Sequence, residues 1–258
     1  MAGIEGRVAL VSGGTSGIGL GIARLLLEEG ASVVVTGRDP ELGAAAGADL
    51  DGIGPVSFCA ADARRPESAV AAARLAEERF GGLDIVVANA GVGVVCPLAD
   101  TSDVDWRWTW ETNVSGYLYL CQEGMRTMRR RGSGGAMVLI ASDAGVVGER
   151  AIGAYSVTKA AVVMMARVLS LDGAPDGIRV NCVCPGYVEP GMRHMPDRAQ
   201  AGGGEDGFGF VDPPKPPLGR HGTARDIAQA VRYLVGPESS FATGSVLLVE
   251  GGATAGLP

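Results

Sequence analysis

Apolar residues recur along this chain in short continuous runs separated by longer segments of helical period. The runs fall at 8–12, 32–36, 56–60, 84–88, 137–141, 179–184 and 246–249. Runs of this length with no polar alternation read as strands buried on both faces, and a segment such as 18–29 between the first two reads as a crossover helix. Strands of this kind joined by right-handed crossovers predict a doubly wound, parallel seven-stranded sheet with helices on both faces. At 258 residues the chain suits one such α/β domain spanning 1–258.

The punctuation between these elements carries the first chemical signal. Between the first run and the first helix stands S-G-G-T-S-G-I-G, residues 12–19. Glycines there permit a tight turn and let backbone N–H groups approach a pyrophosphate at a helix N-terminus. Gly13, Thr15, Ser16, Gly17, Ile18 and Gly19 are therefore candidate dinucleotide contacts. At the end of the second run, where a carboxylate would bond a ribose 2′-hydroxyl, the chain has Gly37 and then Arg38. An arginine there suits a 2′-phosphate, which favours NADP; the neighbouring Asp39 argues the other way and keeps NAD open. Asp62, with Ala63 beside it, has two readings: its carboxylate accepts from an adenine amino group, or it caps the helix before Pro66. Asn89, Ala90 and Gly91 follow the fourth run as small residues suited to a backbone passing close to a ribose.

Composition narrows the alternatives. A net charge of −7 with no long basic run disfavours nucleic acid or an anionic membrane as partner. The one cationic cluster, Arg126 with Arg129 to Arg131, falls where a helix should end and complements its dipole. No uninterrupted run of about 18 apolar residues suggests a membrane span, and the first residues do not resemble a secretory signal. Five cysteines scattered at 59, 96, 121, 182 and 184 do not form a disulfide framework, so a reducing, cytoplasmic compartment is expected. Cys182 and Cys184 are read as pointing to opposite faces of a strand, and with only His194 and His221 besides, no metal site is expected.

A second constellation lies in 142–159. Tyr155 and Lys159, four residues apart in a helical run, share one helix face. An ammonium beside a phenol favours the phenolate and lowers its pKa. Ser142, thirteen residues before the tyrosine at the end of an apolar run, offers a hydroxyl that can bond a substrate oxygen without changing charge. A helix expected at 103–130 carries Trp106 and Trp110 on one face, read as core or subunit contact, and Asn113 one turn further. An asparagine within a helix is costly, and ordering a water beside Lys159 would give it a reason.

Taken together, these motifs resemble the short-chain dehydrogenase/reductase family over 6–252, with R-V-N-C-V-C-P-G, P-L-G-R-H-G and A-T-G-S-V-L-L-V-E-G-G adding to the match. The resemblance implies a Rossmann fold and a catalytic tetrad of Asn113, Ser142, Tyr155 and Lys159. Tyr155 would move the proton, Ser142 would steady the substrate oxygen, Lys159 would lower the tyrosine pKa and bond the nicotinamide ribose, and Asn113 would hold a water. Pro185, Gly186 and Val188 would meet the nicotinamide end. Ser12 stands for the usual threonine and Glu250 for an aspartate. Pro190 stands for a threonine expected at the carboxamide, which leaves that group to the Val188 backbone.

The irregular, glycine- and proline-rich segment 188–217, with Met192, Met195, Phe208 and Phe210, is expected to form a substrate lid. Further walls are expected from 94–96, Asp143, Ala144, 148–152 and Tyr187. These suit a medium-sized hydrophobic or alicyclic alcohol or ketone. Glu149 and Arg150 face solvent in one reading; in the other, Arg150 meets a substrate carboxylate. The alternatives are an NAD-dependent dehydrogenase of a secondary-metabolite or sugar-derived alcohol and, in another class, a non-catalytic dinucleotide-binding regulator. Apolar outer helix faces, including Tyr117, Tyr119, Val163 and Met165, would build a homodimer or homotetramer.

Overall fold

The computed structural model describes residues 3–189, 192 and 215–256. Seven parallel strands stand in the order β3-β2-β1-β4-β5-β6-β9, where β1 is Val8–Ser12, β2 Ser32–Gly37, β3 Val56–Ala60, β4 Ile85–Ala88, β5 Gly135–Ile140, β6 Ile178–Pro185 and β9 Val246–Val249. Order reverses between β1 and β4, the switch point at which open α/β sheets bind ligands beyond their strand ends. A separate pair, β7 (Val188–Glu189) and β8 (Gly222–Thr223), is too short to leave a periodic pattern in the sequence.

Successive side chains of each strand enter different cores. Val8 and Leu10, Met137 and Leu139, and Ile178 and Val180 pack beneath the helices α3 (Pro66–Phe80), α5 (Gly116–Arg131) and α6 (Gly153–Gly173). Ala9, Val11, Ala136 and Val138 face α1 (Gly17–Glu28) and α7 (Ala224–Val235). Each such Val, Ile or Leu removed from water contributes ~1.5–3 kcal/mol, which is why strands buried on both sides read as unbroken apolar runs. The remaining helix of the sheet, α2 (Pro40–Leu50), begins on Asp39, whose Oδ1 accepts from the N–H groups of Glu41 and Leu42. Asp39 is thus committed to a cap with Pro at the first helical position.

Several expectations are corrected. The helix expected at 103–130 is three pieces: α4 (Asp103–Trp110), a π turn at Glu111–Ser115, and α5. Thr109 and Thr112 hydroxyls donate back to the carbonyls of Asp105 and Trp108 just before and within the turn, the kind of bond that bends a helix. Cys182 and Cys184 share one face, both in the core under α5 and α6 with their sulfurs 4.0 Å apart, because residues two apart on a strand point the same way. No cluster of His, Cys, Asp and Glu suited to a metal occurs among the described residues. Asp62 does not cap α3, whose N-cap is Arg65 without a side-chain bond. Tyr117 is not on an outer face: it is 1% exposed, and Val163, Tyr119 and Met165 pack against the same core.

One helix, Gly153–Asp176, is long and apolar enough by length and composition to cross a bilayer, although Lys159, Arg167 and Asp172 interrupt its apolar run. Half of its most apolar window is buried inside the protein, as in the core helix of a globular domain.

Candidate active site

At the carboxyl ends of β1 and β4 the backbone is drawn tight by Ser12. Its hydroxyl accepts from the N–H groups of Asn89 (2.9 Å) and Ala90 (3.1 Å), while Asn89 Nδ2 donates to the carbonyls of Ser12 and Gly13. Gly13 has φ +63°, and a Cβ there would stand 2.8 Å from Ala90 Cα. A Cβ on Gly19 would overlap Gly13 O. Only glycine allows the loop to lie this flat on the switch point.

The first turn of α1 then faces open space. Its N-cap Ser16 makes no side-chain cap bond, and no acidic residue lies in that turn. Uncapped N–H groups with the positive end of the dipole suit a pyrophosphate, so the loop fits a dinucleotide on its own geometry. Where β2 ends, Gly37 is kept free of a side chain by Thr15, and Arg38 is exposed. Asp62 is gripped by Arg64, whose Nη2 lies 2.6 Å from Oδ2, and that guanidinium holds the carboxyl below its usual range. Its oxygens also take the Arg64 N–H, so the expected adenine acceptor is already engaged. Ala63 lies against Gly116, at the start of α5.

The π turn places Asn113 inside the protein, fully buried. Its Oδ1 accepts from Val92 N (2.9 Å), and its Nδ2 donates to Val92 O (2.8 Å) and Thr158 Oγ1 (3.0 Å). The side chain therefore splices the helix to the segment after β4, and Thr158 in turn donates to Tyr155 O. Thr158 is not marked by sequence periodicity; it is recognisable only by the bonds it makes.

Tyr155 and Lys159 project from the first turns of α6 and are 8% and 2% exposed. Lys159 Nζ lies 5.4 Å from the Tyr155 ring centroid and donates to Ile140 O (2.8 Å) and to the Tyr117 hydroxyl (3.3 Å). Burial pushes the ammonium down to about 8. Burial also raises the Tyr155 phenol, and it is the hydrogen bond with Ser142 that pulls it down. The expected lowering by Lys159 is not among the influences on Tyr155 in this arrangement, where desolvation dominates. Ser142, at the end of β5, donates from Oγ to Asp143 Oδ1 (3.0 Å) and accepts from Ala144 N. Burial raises the Asp143 carboxyl. Gly91 faces this group: a Cβ on it would lie 3.5 Å from Lys159 Nζ and 3.6 Å from Asn113 Oδ1.

The walls follow expectation in part. Val94, Val95, Cys96, Ala144 and Ile152 are buried, and Cys96 bridges Ile152 beside Ala151, which holds φ 62°, strained for a residue with a Cβ. Glu149 and Arg150 are exposed. Gly186 lies against Glu250, and Val188 is buried in β7. Pro185 closes β6, and Tyr187 packs edge-on against His221. Pro190, His194, Met195, Phe208, Phe210 and most of the expected lid lie outside the described residues.

A parallel sheet with a glycine loop at its switch point and a buried Tyr-Lys-Ser group across from it defines the class: a dinucleotide-binding oxidoreductase. A family profile described as enoyl-(acyl carrier protein) reductase matches residues 13–254. The NADP-dependent (R)-specific alcohol dehydrogenase of Lentilactobacillus kefiri is 36% identical over 254 residues, covering 98% of each chain. The cis-4-hydroxycyclohexanecarboxylate dehydrogenase of Sinomonas cyclohexanicum is 34% identical, covering 96% of this chain and 97% of its own. A crystal structure of a putative short-chain alcohol dehydrogenase from Sinorhizobium meliloti superposes with a TM-score of 0.88 at 31% identity, covering 98% of both chains. The chain belongs to the short-chain dehydrogenase/reductase family. It is an NAD(P)-dependent oxidoreductase that transfers hydride between the nucleotide and an alcohol or ketone.

Proposed function

We propose that the enzyme uses NADP(H) and acts on a medium-sized hydrophobic or alicyclic secondary alcohol or ketone. The observation that carries the reaction assignment is the buried Tyr155–Lys159 pair, with Ser142 at the end of β5 acting on the same phenol, beside the uncapped start of α1. Bound NADP(H) supplies the hydride acceptor or donor. Tyr155 gives or takes the proton at its phenolic oxygen, and Ser142 holds the substrate oxygen against it. Lys159 would bias the phenol toward phenolate and bond the nicotinamide ribose, and Asn113 fixes the Val92 segment after β4. Pro185, Gly186 and the backbone of Val188 would hold the carboxamide end.

Two findings support NADP over NAD. No carboxylate is free at the end of β2, since Asp39 caps α2, and Arg38 is exposed there, making no salt bridge among the described residues although its charge reaches Asp62. The Lentilactobacillus relative is named for NADP. The apolar walls at 94–96, Ala144 and Ile152 support the substrate class, as does the ring-bearing substrate in the name of the Sinomonas relative.

Assembly is through α4 and α6. On α6, Val157, Met164, Val168 and Leu171 form an exposed apolar stripe, and Trp110, stacked on Trp106 at 5.8 Å, stands 36% exposed on α4. A second copy covering these faces gives a homodimer. The exposed Tyr233, Phe241 and Leu248 offer a second interface for a homotetramer. A sedimenting monomer at micromolar concentration would refute this.

The test is turnover with NADPH and NADH across alicyclic ketones, aliphatic ketones, sugars and enoyl thioesters. The reading requires the alicyclic or aliphatic ketones with NADPH to lead. Exclusive turnover of an enoyl thioester, or preference for NADH, overturns it.

A further inference from the structure

The structure brings one residue against Lys159 to which neither the motif pattern nor the reaction assigns a role. Tyr117 leaves α5 one turn beyond Asn113, and its ring is fully enclosed in the core. Its hydroxyl donates to Ile140 O at 2.9 Å. With that proton engaged, its lone pairs turn to Lys159 Nζ, which also donates to Ile140 O. The ammonium has three N–H groups, so two of them are fixed by a triangle of Tyr117, Ile140 and Lys159. The third is left for the space in front of Gly91. We propose that Tyr117 is a positioning residue, its buried hydroxyl anchoring the ammonium of Lys159 at the point from which it acts on Tyr155 and the ribose. This rests on the reading of Tyr155 and Lys159 given above.

Two physical points favour an anchor over a proton relay. Tyr117 is 1% exposed and its proton points to a main-chain carbonyl at the end of a strand, so no path leads onward to water. Among the described residues Lys159 has no carboxylate partner, so its charge is sustained inside the protein by two neutral acceptors. Loss of either weakens the charged form directly. Phenylalanine at 117 would keep the ring, the packing and the ring face 5.2 Å from Nζ, and would remove the acceptor alone.

The groups that bear on this titration are the same in both proteins. They are Tyr155 on α6; Ser142, Asp143 and Glu149 after β5; Cys182 and Cys184 on β6; and Cys121 beside Tyr117 on α5. A difference between wild type and Tyr117→Phe therefore reports the hydroxyl. With the ammonium less favoured, Tyr155 is harder to ionise, and the ascending limb of kcat against pH in alcohol oxidation moves up by roughly 1 pH unit. At neutral pH kcat falls about tenfold while KM for the alcohol stays within about twofold. Tyr117→Gln, which returns an acceptor oxygen, recovers part of the lost activity.

The experiment measures full pH profiles, melting temperature and cofactor affinity for wild type, Tyr117→Phe and Tyr117→Gln, with Tyr155→Phe as control. A displaced limb in the phenylalanine variant, partly restored by glutamine, is the expected result. A lower melting temperature with the limb unmoved would reduce Tyr117 to packing and overturn the proposal. If Tyr155→Phe turns over normally, the site reading itself fails. If Tyr155→Phe is dead and the limb of Tyr117→Phe stays in place, only the anchoring role is lost. Should the phenylalanine variant not fold, Tyr117→Leu, which also lacks the acceptor, decides between the same two outcomes.

Discussion

Ser142 Oγ lies 3.0 Å from Asp143 Oδ1, so the one hydroxyl proton of the serine is directed at a neighbouring carboxylate. An ionised carboxylate accepts and cannot donate, and one lone pair of Ser142 takes the Ala144 N–H, which leaves the other for the site. An alcohol can donate to it; a ketone cannot. Asp143→Ala frees the proton to turn toward a carbonyl, worth about 1 kcal/mol for a neutral hydrogen bond, or roughly a fivefold change in equilibrium. We expect unreactive ketone analogues to bind about fivefold tighter to the variant relative to the matching alcohols, measured as inhibition constants at neutral pH. An unchanged ratio would mean Ser142 reorients freely on binding.

Arg38 and Asp39 are adjacent but have separate tasks. Asp39 is held by two N–H groups of α2 and Arg38 is not held by any carboxylate among the described residues. Arg38→Ala should weaken NADP by about tenfold to a hundredfold, the loss of a charge-assisted bond, with NAD affinity little changed. Asp39→Ala should instead cost roughly 1 kcal/mol of stability and leave the NADP to NAD ratio alone. Titrations with both nucleotides and thermal melts distinguish the two; equal loss of both nucleotides in Arg38→Ala would remove it from the phosphate.

Gly19 is enclosed by Gly13 O and Asn89 Nδ2. A methyl group there cannot be accommodated by a flexible side chain, because the nearest atom is backbone. Gly19→Ala should push the loop off β4, break the bonds from Asn89 to Ser12 O and Gly13 O, and cost on the order of 1–3 kcal/mol, with cofactor binding lost before the fold. By contrast Gly47, with nothing within 4 Å of an added Cβ, should accept alanine without loss. Fluorescence titration with reduced nucleotide checks the pair.

The sheet was readable because parallel strands buried on both faces leave unbroken apolar runs, and the glycine loop because backbone contact at a switch point tolerates little else. Other features had no such imprint. The π turn shifts hydrogen bonding by one residue without changing the apolar pattern, so Asn113 looked like an expensive helix residue when it is a splice to Val92. Tyr117 sits on the same apolar stripe as ordinary core residues, and only a neighbour from α6 reveals that its hydroxyl has work. The Cys182–Cys184 pair was available to simple geometry, since strand side chains repeat every two residues, and an alternating assignment misplaced it. Asp62 was ambiguous because Arg64, two residues on, is the partner that decides it.

Lys159 makes a stability prediction with a definite sign. Its folded pKa is pushed down to about 8 by burial from 10.5 in the open chain. Between these values the unfolded chain binds more protons than the folded one, so stability rises with pH across that interval and is lowest, for this group, below about 8. The penalty at neutral pH is on the order of 3 kcal/mol, since each tenfold weakening of proton binding costs about 1.36 kcal/mol. Lys159→Met retains the buried methylene stem and removes the charge. We expect the variant to be inactive and to melt higher than wild type near neutral pH, with the advantage shrinking as pH rises from about 8 toward 10.5. Tyr155, raised by burial, opposes further gain above the ordinary phenol range, so the comparison is read between about 8 and about 10. Denaturant melts of the two proteins at matched pH test this directly. A constant difference across the interval would show that Lys159 keeps its proton in the fold up to the ordinary lysine range, and the lowering of its pKa by burial would have to be abandoned.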